Sequence, residues 1–170
     1  MKRMAYLQTL RKLIPAYGSE NVIYFDESGF KKQSYRAHGW ATRGEKIYGD
    51  VSGNNRKCTN LIMAQRRKEW LAPMTFEESC DSLLVNTWLE KRLMPVLKKP
   101  SIIVMDNAPF HKKEEIAAIL EKHGHVLLPL PPYSPDFNPI EQTFGGIKRK
   151  REFAPVGTSV DEIIRNYYLE

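Results

Sequence analysis

At 170 residues, 42% hydrophobic and 27% charged, the chain is the right size for one domain with a substantial core. No apolar run approaches the roughly 18–20 residues of a membrane-spanning helix, and the basic start MKRMAYLQTL has no signal-peptide pattern, so a cytoplasmic protein with no membrane partner is expected. The net charge of +6, from 26 Lys and Arg against 20 Asp and Glu, fits a polyanionic partner without singling one out.

Residues 3–17 carry Leu7, Leu10, Leu13 and Ile14 at helical spacing, closed by Pro15 and Gly18. NVIYFDESGF then gives a buried strand, Val22 to Phe25, ending in Asp26. Two or three further strands are predicted near 34–41, 45–51 and 57–65, broken by turn-like RGE and SGNN, as an antiparallel meander. From Thr75 the period changes to helical, with Thr75 and Glu78 as a capping box and Phe76, Cys80, Leu83, Leu84, Val85, Trp88 and Leu89 toward one face. SIIVMDN is an all-apolar strand ending in Asp106, KKEEIAAILEKHG a helix closed by Gly124, and HVLLPLP a third buried strand.

Five prolines (Pro129, Pro131, Pro132, Pro135, Pro139) then stiffen the approach to a helix, with Asn138 as its N-cap candidate and Pro139 at its first position. Phe144 and Ile147 give that helix an apolar side, KRKRE marks its far end, and Ser159 with Glu162 caps a last helix. The order βββ-α-β-α-β-α-α predicts an α/β fold with a mixed sheet flanked by helices. Cys58 and Cys80 stand without ligand spacing toward His38, His111, His123 or His125, and read as reduced, partly buried residues; Trp40 and Trp88 read as core.

Three acids sit at element ends: Asp26, Asp106 and Glu141. A carboxylate straight after a buried strand is costly to desolvate, and two on parallel neighbouring strands would repel unless a proton or cation lay between them. Hard divalent cations take oxygen ligands, and two of them activate a nucleophile and stabilise a leaving oxygen in phosphoryl transfer. Each acid also has an ordinary reading: Asp26 as a strand-end cap, Asp106 with Asn107 as an Asx-turn, Glu141 as a capping-box partner of Asn138. Glu27 is set aside because strand alternation sends it to the opposite face, and Asp136 because it belongs to the proline-rich turn.

FDESGF (25–30), HGWATRGE (38–45), MDNAPFH (105–111) and LPPYSPDFNPIE (130–141) together resemble the catalytic core of IS630/Tc1/mariner-type DDE transposases, over about Asn21 to Lys150. Between Asp106 and Glu141 lie 34 residues, as in the DD34E pattern of that superfamily. The resemblance implies an RNase H-like fold with a five-stranded mixed sheet over 21–170, preceded by an N-terminal helical segment at 1–20. It implies Asp26, Asp106 and Glu141 as catalytic and metal-binding residues for two Mg²⁺ or Mn²⁺ ions, Asp26 bridging both. Similar enzymes hydrolyse double-stranded DNA at transposon ends and transfer the 3′-hydroxyl into a target, typically TA, as dimers assembled on DNA.

Asn107 and His111 belong to the DNxxxH part of the motif and are supporting candidates. Lys148, Arg149, Lys150, Arg151 and Lys112 are candidate DNA contacts, with Lys113, Arg66, Arg67 and Lys68 behind them. About 20 residues precede the first strand, too few for the family's helix-turn-helix region, so a missing or separately encoded DNA-binding segment is expected. If the chain is bacterial, association with the nucleoid follows. A catalytically silent DNA-binding or assembly module that keeps the fold is the alternative, and a ribonuclease H or resolvase would not show PPYSPDFNPIE. If the prolines serve to hold Glu141, replacing Pro132 and Pro135 by glycine lowers activity more than thermal stability. Equal losses in nuclease assay and melting curve would refute that.

Overall fold

The structure, a computed structural model, describes residues 2–31, 42–46, 58–108, 111–155 and 157–169. Helix α1 (Lys2–Tyr17) leads through a short 3-10 turn into β1 (Val22–Lys31), followed by β2 (Cys58–Arg66) and β3 (Glu69–Phe76). A helical stretch comprises α2 (Ser82–Trp88), a π turn (Leu89–Leu93) and the short α3 (Met94–Val96). Then come β4 (Ile102–Met105), α4 (Lys113–Lys122), β5 (Val126–Pro129), a 3-10 turn (Pro135–Phe137), α5 (Ile140–Phe153) and α6 (Val160–Leu169). The five strands form one sheet in the order β3-β2-β1-β4-β5, antiparallel from β3 to β1 and parallel from β1 to β5.

Alternation along the central strands sorts the core onto two faces. Ile23 and Phe25 of β1, Ile62 and Ala64 of β2, and Ile103 and Met105 of β4 pack under Val85, Trp88, Leu89, Leu93, Ile116 and Leu120 of the α2–α4 layer. On the other face, Leu61, Met63 and Phe30 meet Ile140, Phe144 and Ile147 of α5 and Val160, Ile163 and Ile164 of α6. Ile102, Val104, Leu128 and Leu130 are covered there by α1 through Tyr6, Leu7, Leu10, Leu13 and Ile14. β4 is buried at all four positions, as its unbroken apolar run requires of a central parallel strand.

Several expectations need correction. β1 does not stop at Asp26; it runs on to Lys31 because β2 pairs with it antiparallel from Tyr24 to Lys31. β3 was not among the predicted strands, and its sequence holds Pro73, which lacks the N–H of an interior ladder residue. Pro73 is tolerated because β3 is the edge strand and bulges there: Ile62 pairs with Met74 but Ala64 with Leu71, one residue more on β3. Ala72 takes φ 50° in that bulge, and its carbonyl accepts from Trp88 Nε1 at 2.8 Å.

Thr75 consequently lies in β3, and the helix begins later, at Asp81, whose carboxylate accepts from the Leu84 N–H at 2.8 Å. Leu83 is exposed on that helix, outside the buried stripe. Pro15 lies inside α1; the stop is Gly18, with φ 87°. The strand predicted near 57–65 is β2, while those near 34–41 and 45–51 lie mostly outside the described residues, as do Trp40 and His38. Gly124, with φ 80°, follows α4, and the Ser159 hydroxyl accepts from the Glu162 N–H at 3.1 Å at the start of α6. Trp88 is core, and Cys58 and Cys80 are free and half-buried.

The paired glycines of α5 differ in surroundings. A Cβ at Gly146 would collide with the ring and hydroxyl of Tyr167 on α6, whereas one at Gly145 would meet nothing within 4 Å. Gly145→Ala should therefore raise stability by about 0.5–1 kcal/mol, the usual helix-interior gain. Gly146→Ala should lose that gain to the displaced Tyr167. Urea denaturation of the two variants side by side checks the contrast.

Candidate active site

β1 and β4 pair with a constant offset, Val22 with Ile102 and Tyr24 with Val104. Carried two residues further, that offset sets Asp26 level with Asp106, where the parallel ladder ends. Parallel pairing, and not proximity in sequence, makes the two carboxylates neighbours. Asp26 is buried, 7% exposed, and both its oxygens are held: Oδ1 accepts from the Glu27 N–H at 2.8 Å and Oδ2 from Asn138 Nδ2 at 2.9 Å. Asp106 follows the last residue of β4 and is more open; its Oδ1 accepts from the Ala108 N–H at 3.0 Å, the Asx-turn its sequence suggested.

Glu141 lies in the first turn of α5 and is exposed. Its approach is held at several points. The Leu130 N–H donates to the Met105 carbonyl at 2.8 Å, and Asn107 Nδ2 donates to the Leu130 carbonyl. Asn138 was expected to cap α5 with its side chain, but its amide instead crosses to Asp26, and the helix start is closed by the Asn138 carbonyl, which accepts from the Glu141 N–H at 3.2 Å. Asp136 is more than a turn residue: Arg3 Nη1 donates to its Oδ1 at 3.1 Å and Nη2 to its Oδ2, holding its pKa below the usual carboxylate value. Beside it, the Arg3 guanidinium lies 4.2 Å above the Phe137 ring, and Tyr6 stacks on that ring at 5.5 Å.

The electrostatics match a site short of positive charge. Burial first, and then the charge of Glu27, push the Asp26 carboxyl up to about 8, with Asp106 and Glu141 adding to the rise against the Glu27 N–H bond. Burial and the same acidic surroundings push the Cys80 thiol up to about 12. Among the described residues, no three acidic, histidine or cysteine side chains are already drawn together as a closed metal cage. The donor set is nevertheless the hard-oxygen set that Mg²⁺ and Mn²⁺ take, and the buried Asn138 Oδ1 beside it lacks a hydrogen-bond partner among the described residues.

His111 reaches the site from the turn before α4. Its Nε2 is 3.4 Å from Asp106 Oδ1 and 3.4 Å from Glu27 Oε1. Glu27 does point to the face opposite Asp26, as alternation required, yet it ends there beside His111, which also faces Asp106. Two partners were thus missed in the sequence, Glu27 and the Asn138 side chain. Only the adjacency of Glu27 to Asp26 and of Asn138 to the helix start could have signalled them.

Of the basic candidates, Lys148 and Arg149 are exposed on α5, Lys150 is half-buried with its ammonium 5.5 Å from the Tyr167 ring, and Arg151 is buried at 9% exposure, tucked under the helix. Lys112 pairs with Glu115 at 3.0 Å, Lys113 donates to Asn107 Oδ1, and Arg66 pairs with Glu69. Arg67 takes φ 55° in the β2–β3 turn, next to Lys68.

A five-stranded mixed sheet with helices on both faces, and carboxylates level where its central parallel strands end, is the RNase H-like arrangement. Residues 21–160 match the DDE superfamily endonuclease family, and the chain belongs to that family. Among solved structures it resembles the mariner Mos1 paired end complex with Mg (TM-score 0.76, 15% identity, 98% of this chain and 53% of that one). It also resembles the Mos1 strand transfer complex (TM-score 0.68, 17% identity, 98% and 56%) and the isolated catalytic domain of Mos1 mariner transposase (TM-score 0.60, 14% identity, 98% and 85%). At such identities the likeness establishes the fold. The chain spans little more than half the length of the Mos1 chains in those complexes. No match was found among curated proteins.

The Asp26 shift has a stability consequence with a definite sign. Its folded-state value lies above the ordinary 3.8, so the folded chain holds a proton that the unfolded chain releases. The stabilisation from that proton is complete below about pH 4 and is lost as pH rises through about 8. Without divalent cations the melting temperature should therefore fall between pH 5 and 8, and Asp26→Asn should flatten that fall. A wild-type curve as flat as the variant's would mean that Asp26 is already ionised.

Proposed function

We propose that the chain is the catalytic domain of a DNA transposase of the IS630/Tc1/mariner type. It hydrolyses DNA at transposon ends and joins the freed 3′-hydroxyl to target DNA. The observation that carries the reading is the level pair Asp26 and Asp106, with the helix of Glu141 tied to Asp26 through Asn138. Membership of the DDE superfamily endonucleases supports it.

Asp26, Asp106 and Glu141 would hold two divalent cations, Mg²⁺ or Mn²⁺. When bound, such ions supply the charge that activates a water or hydroxyl and stabilises the leaving oxygen. In the first reaction a water oxygen attacks a backbone phosphorus and the bond to the 3′-oxygen breaks, leaving a 3′-hydroxyl and a 5′-phosphate; in the second, that 3′-hydroxyl attacks a target phosphorus and displaces the target strand's own 3′-oxygen, so one phosphodiester forms as another breaks. The chain supplies position. Backbone and amide donors fix Asp26, the Asx-turn fixes Asp106, and the clamped proline segment fixes Glu141. Lys148 and Arg149, further along the same helix as Glu141, would take DNA phosphates as salt-dependent contacts.

Double-stranded DNA, both transposon end and TA target, is the proposed partner. Two copies of the chain would meet on paired ends, with a further segment reading the terminal repeats. Such a protein works where the DNA lies, in the cytoplasm and, in a bacterium, on the nucleoid.

Nicking of supercoiled plasmid in Mn²⁺ tests the reading. Activity should vanish in EDTA and drop by on the order of 10² or more in Asp106→Asn, the scale of losing a key transition-state stabiliser. Nicking that survives Asp106→Asn would overturn the site. A folded wild-type chain that never nicks any DNA would favour the silent module.

A further inference from the structure

We propose that Glu27, acting through the His111 imidazole, is the positioning residue that sets which oxygen of Asp106 faces a bound cation. The inference rests on the reading of Asp106 as a metal ligand and extends it to a residue outside the three acids. Glu27 is an unusual presence. It follows a buried aspartate, sits in a central strand, and is only 16% exposed at its side chain. Its Oε2 is buried without a hydrogen-bond partner among the described residues, and its charge is the largest of the neighbouring charges opposing ionisation of Asp26. A carboxylate so placed costs stability, and a buried apolar residue would fit the face of Ile23 and Phe25 better.

What Glu27 does touch accounts for it. His111 Nε2 stands 3.4 Å from Glu27 Oε1 and equally far from Asp106 Oδ1. Only a donor is attracted to two carboxylate oxygens at once, so Nε2 carries the proton and faces both. The imidazole is 1% exposed and packs edge-on against Phe25 at 6.1 Å and 83°, which fixes its plane. Its backbone N–H donates to the Ala108 carbonyl at 3.1 Å, while the Ala108 N–H donates to Asp106 Oδ1. One turn of chain and one side chain therefore converge on Asp106 Oδ1. Among the described residues no hydrogen bond engages Asp106 Oδ2, which leaves that oxygen for a bound cation. Glu27 anchors the far end, because without it the His111 proton would be drawn to Asp106 alone and the ring would lose one of its two fixed points.

Partners that orient a metal ligand typically matter by about 10–100-fold in metal affinity, and that is the effect expected here. Mn²⁺ alone, without DNA, is titrated into the protein and free ion is read by electron paramagnetic resonance. Glu27→Ala should weaken Mn²⁺ binding by about tenfold or more, and Glu27→Gln, which keeps an acceptor for the His111 N–H, should fall between it and wild type. Both variants should melt no lower than wild type, since a buried charge has been removed. In plasmid nicking, the Mn²⁺ concentration for half-maximal rate should rise while the rate at saturating Mn²⁺ recovers.

Asp106→Asn serves as the control. If it abolishes tight Mn²⁺ binding while Glu27→Ala and Glu27→Gln bind as wild type, the inference about Glu27 is overturned and the site reading stands. If Asp106→Asn itself binds Mn²⁺ as wild type, the site reading fails and takes the inference with it. Should Glu27→Ala not fold, Glu27→Gln carries the same comparison, and undiminished affinity in it alone is enough to overturn the proposal.

Discussion

Two carboxylates forced level by a parallel ladder are the constraint around which this chain is built. β1 and β4 cannot keep their register without bringing Asp26 beside Asp106. The apolar runs that lead up to them guarantee that both acids emerge from the core and not from open solvent. Repulsion and desolvation then both oppose ionisation of Asp26. The structure tolerates this because each held oxygen meets a donor, from the Glu27 N–H, the Asn138 amide or the Ala108 N–H. Among the described residues, the charges that act on Asp26 are all acidic, from Glu27, Asp106 and Glu141.

Both helical layers serve that pair. From the α2–α4 side comes His111, in the turn that precedes α4, meeting Asp106 and Glu27. From the opposite layer come Asn138 and Glu141, at the entrance to α5. α5 is itself anchored by Ile140, Phe144 and Ile147 in the core shared with α6, and Gly146 lets α6 come close enough for Tyr167 to lie over it. The exposed end of α5, with Lys148 and Arg149, is thereby set in a fixed direction from the acids.

Much of this was legible because buried parallel strands announce themselves as short apolar runs, and the acids stood directly at their ends. The neighbourhood of Asp26 and Asp106 followed from assuming parallel pairing. β3 was not legible: its sequence EWLAPMTF carries a proline that local rules count against a strand, and only the bulge and the edge position remove the objection. The helix start moved to Asp81 for the same reason, since residues near Thr75 were already committed to pairing with Leu61. Asn138 kept its place at the head of α5 but gave its side chain to a residue 112 positions away, a contact that no local rule can reveal. Glu27 was correctly sent to the opposite face. What alternation could not say is that His111 would be waiting there.

The grip of α1 on the proline-rich turn bears on modularity. Arg3 and Tyr6 hold Asp136 and Phe137 from the other end of the chain, 133 positions away for the Arg3–Asp136 pair. The stretch that delivers Glu141 is therefore not a portable cassette. A chimera that imports 128–141 from a relative without matching residues at 3 and 6 would carry every motif letter yet set its third acid on a loosened mount. Residues that look like a mere lead-in to the first strand belong, in mechanical terms, to the last part of the site.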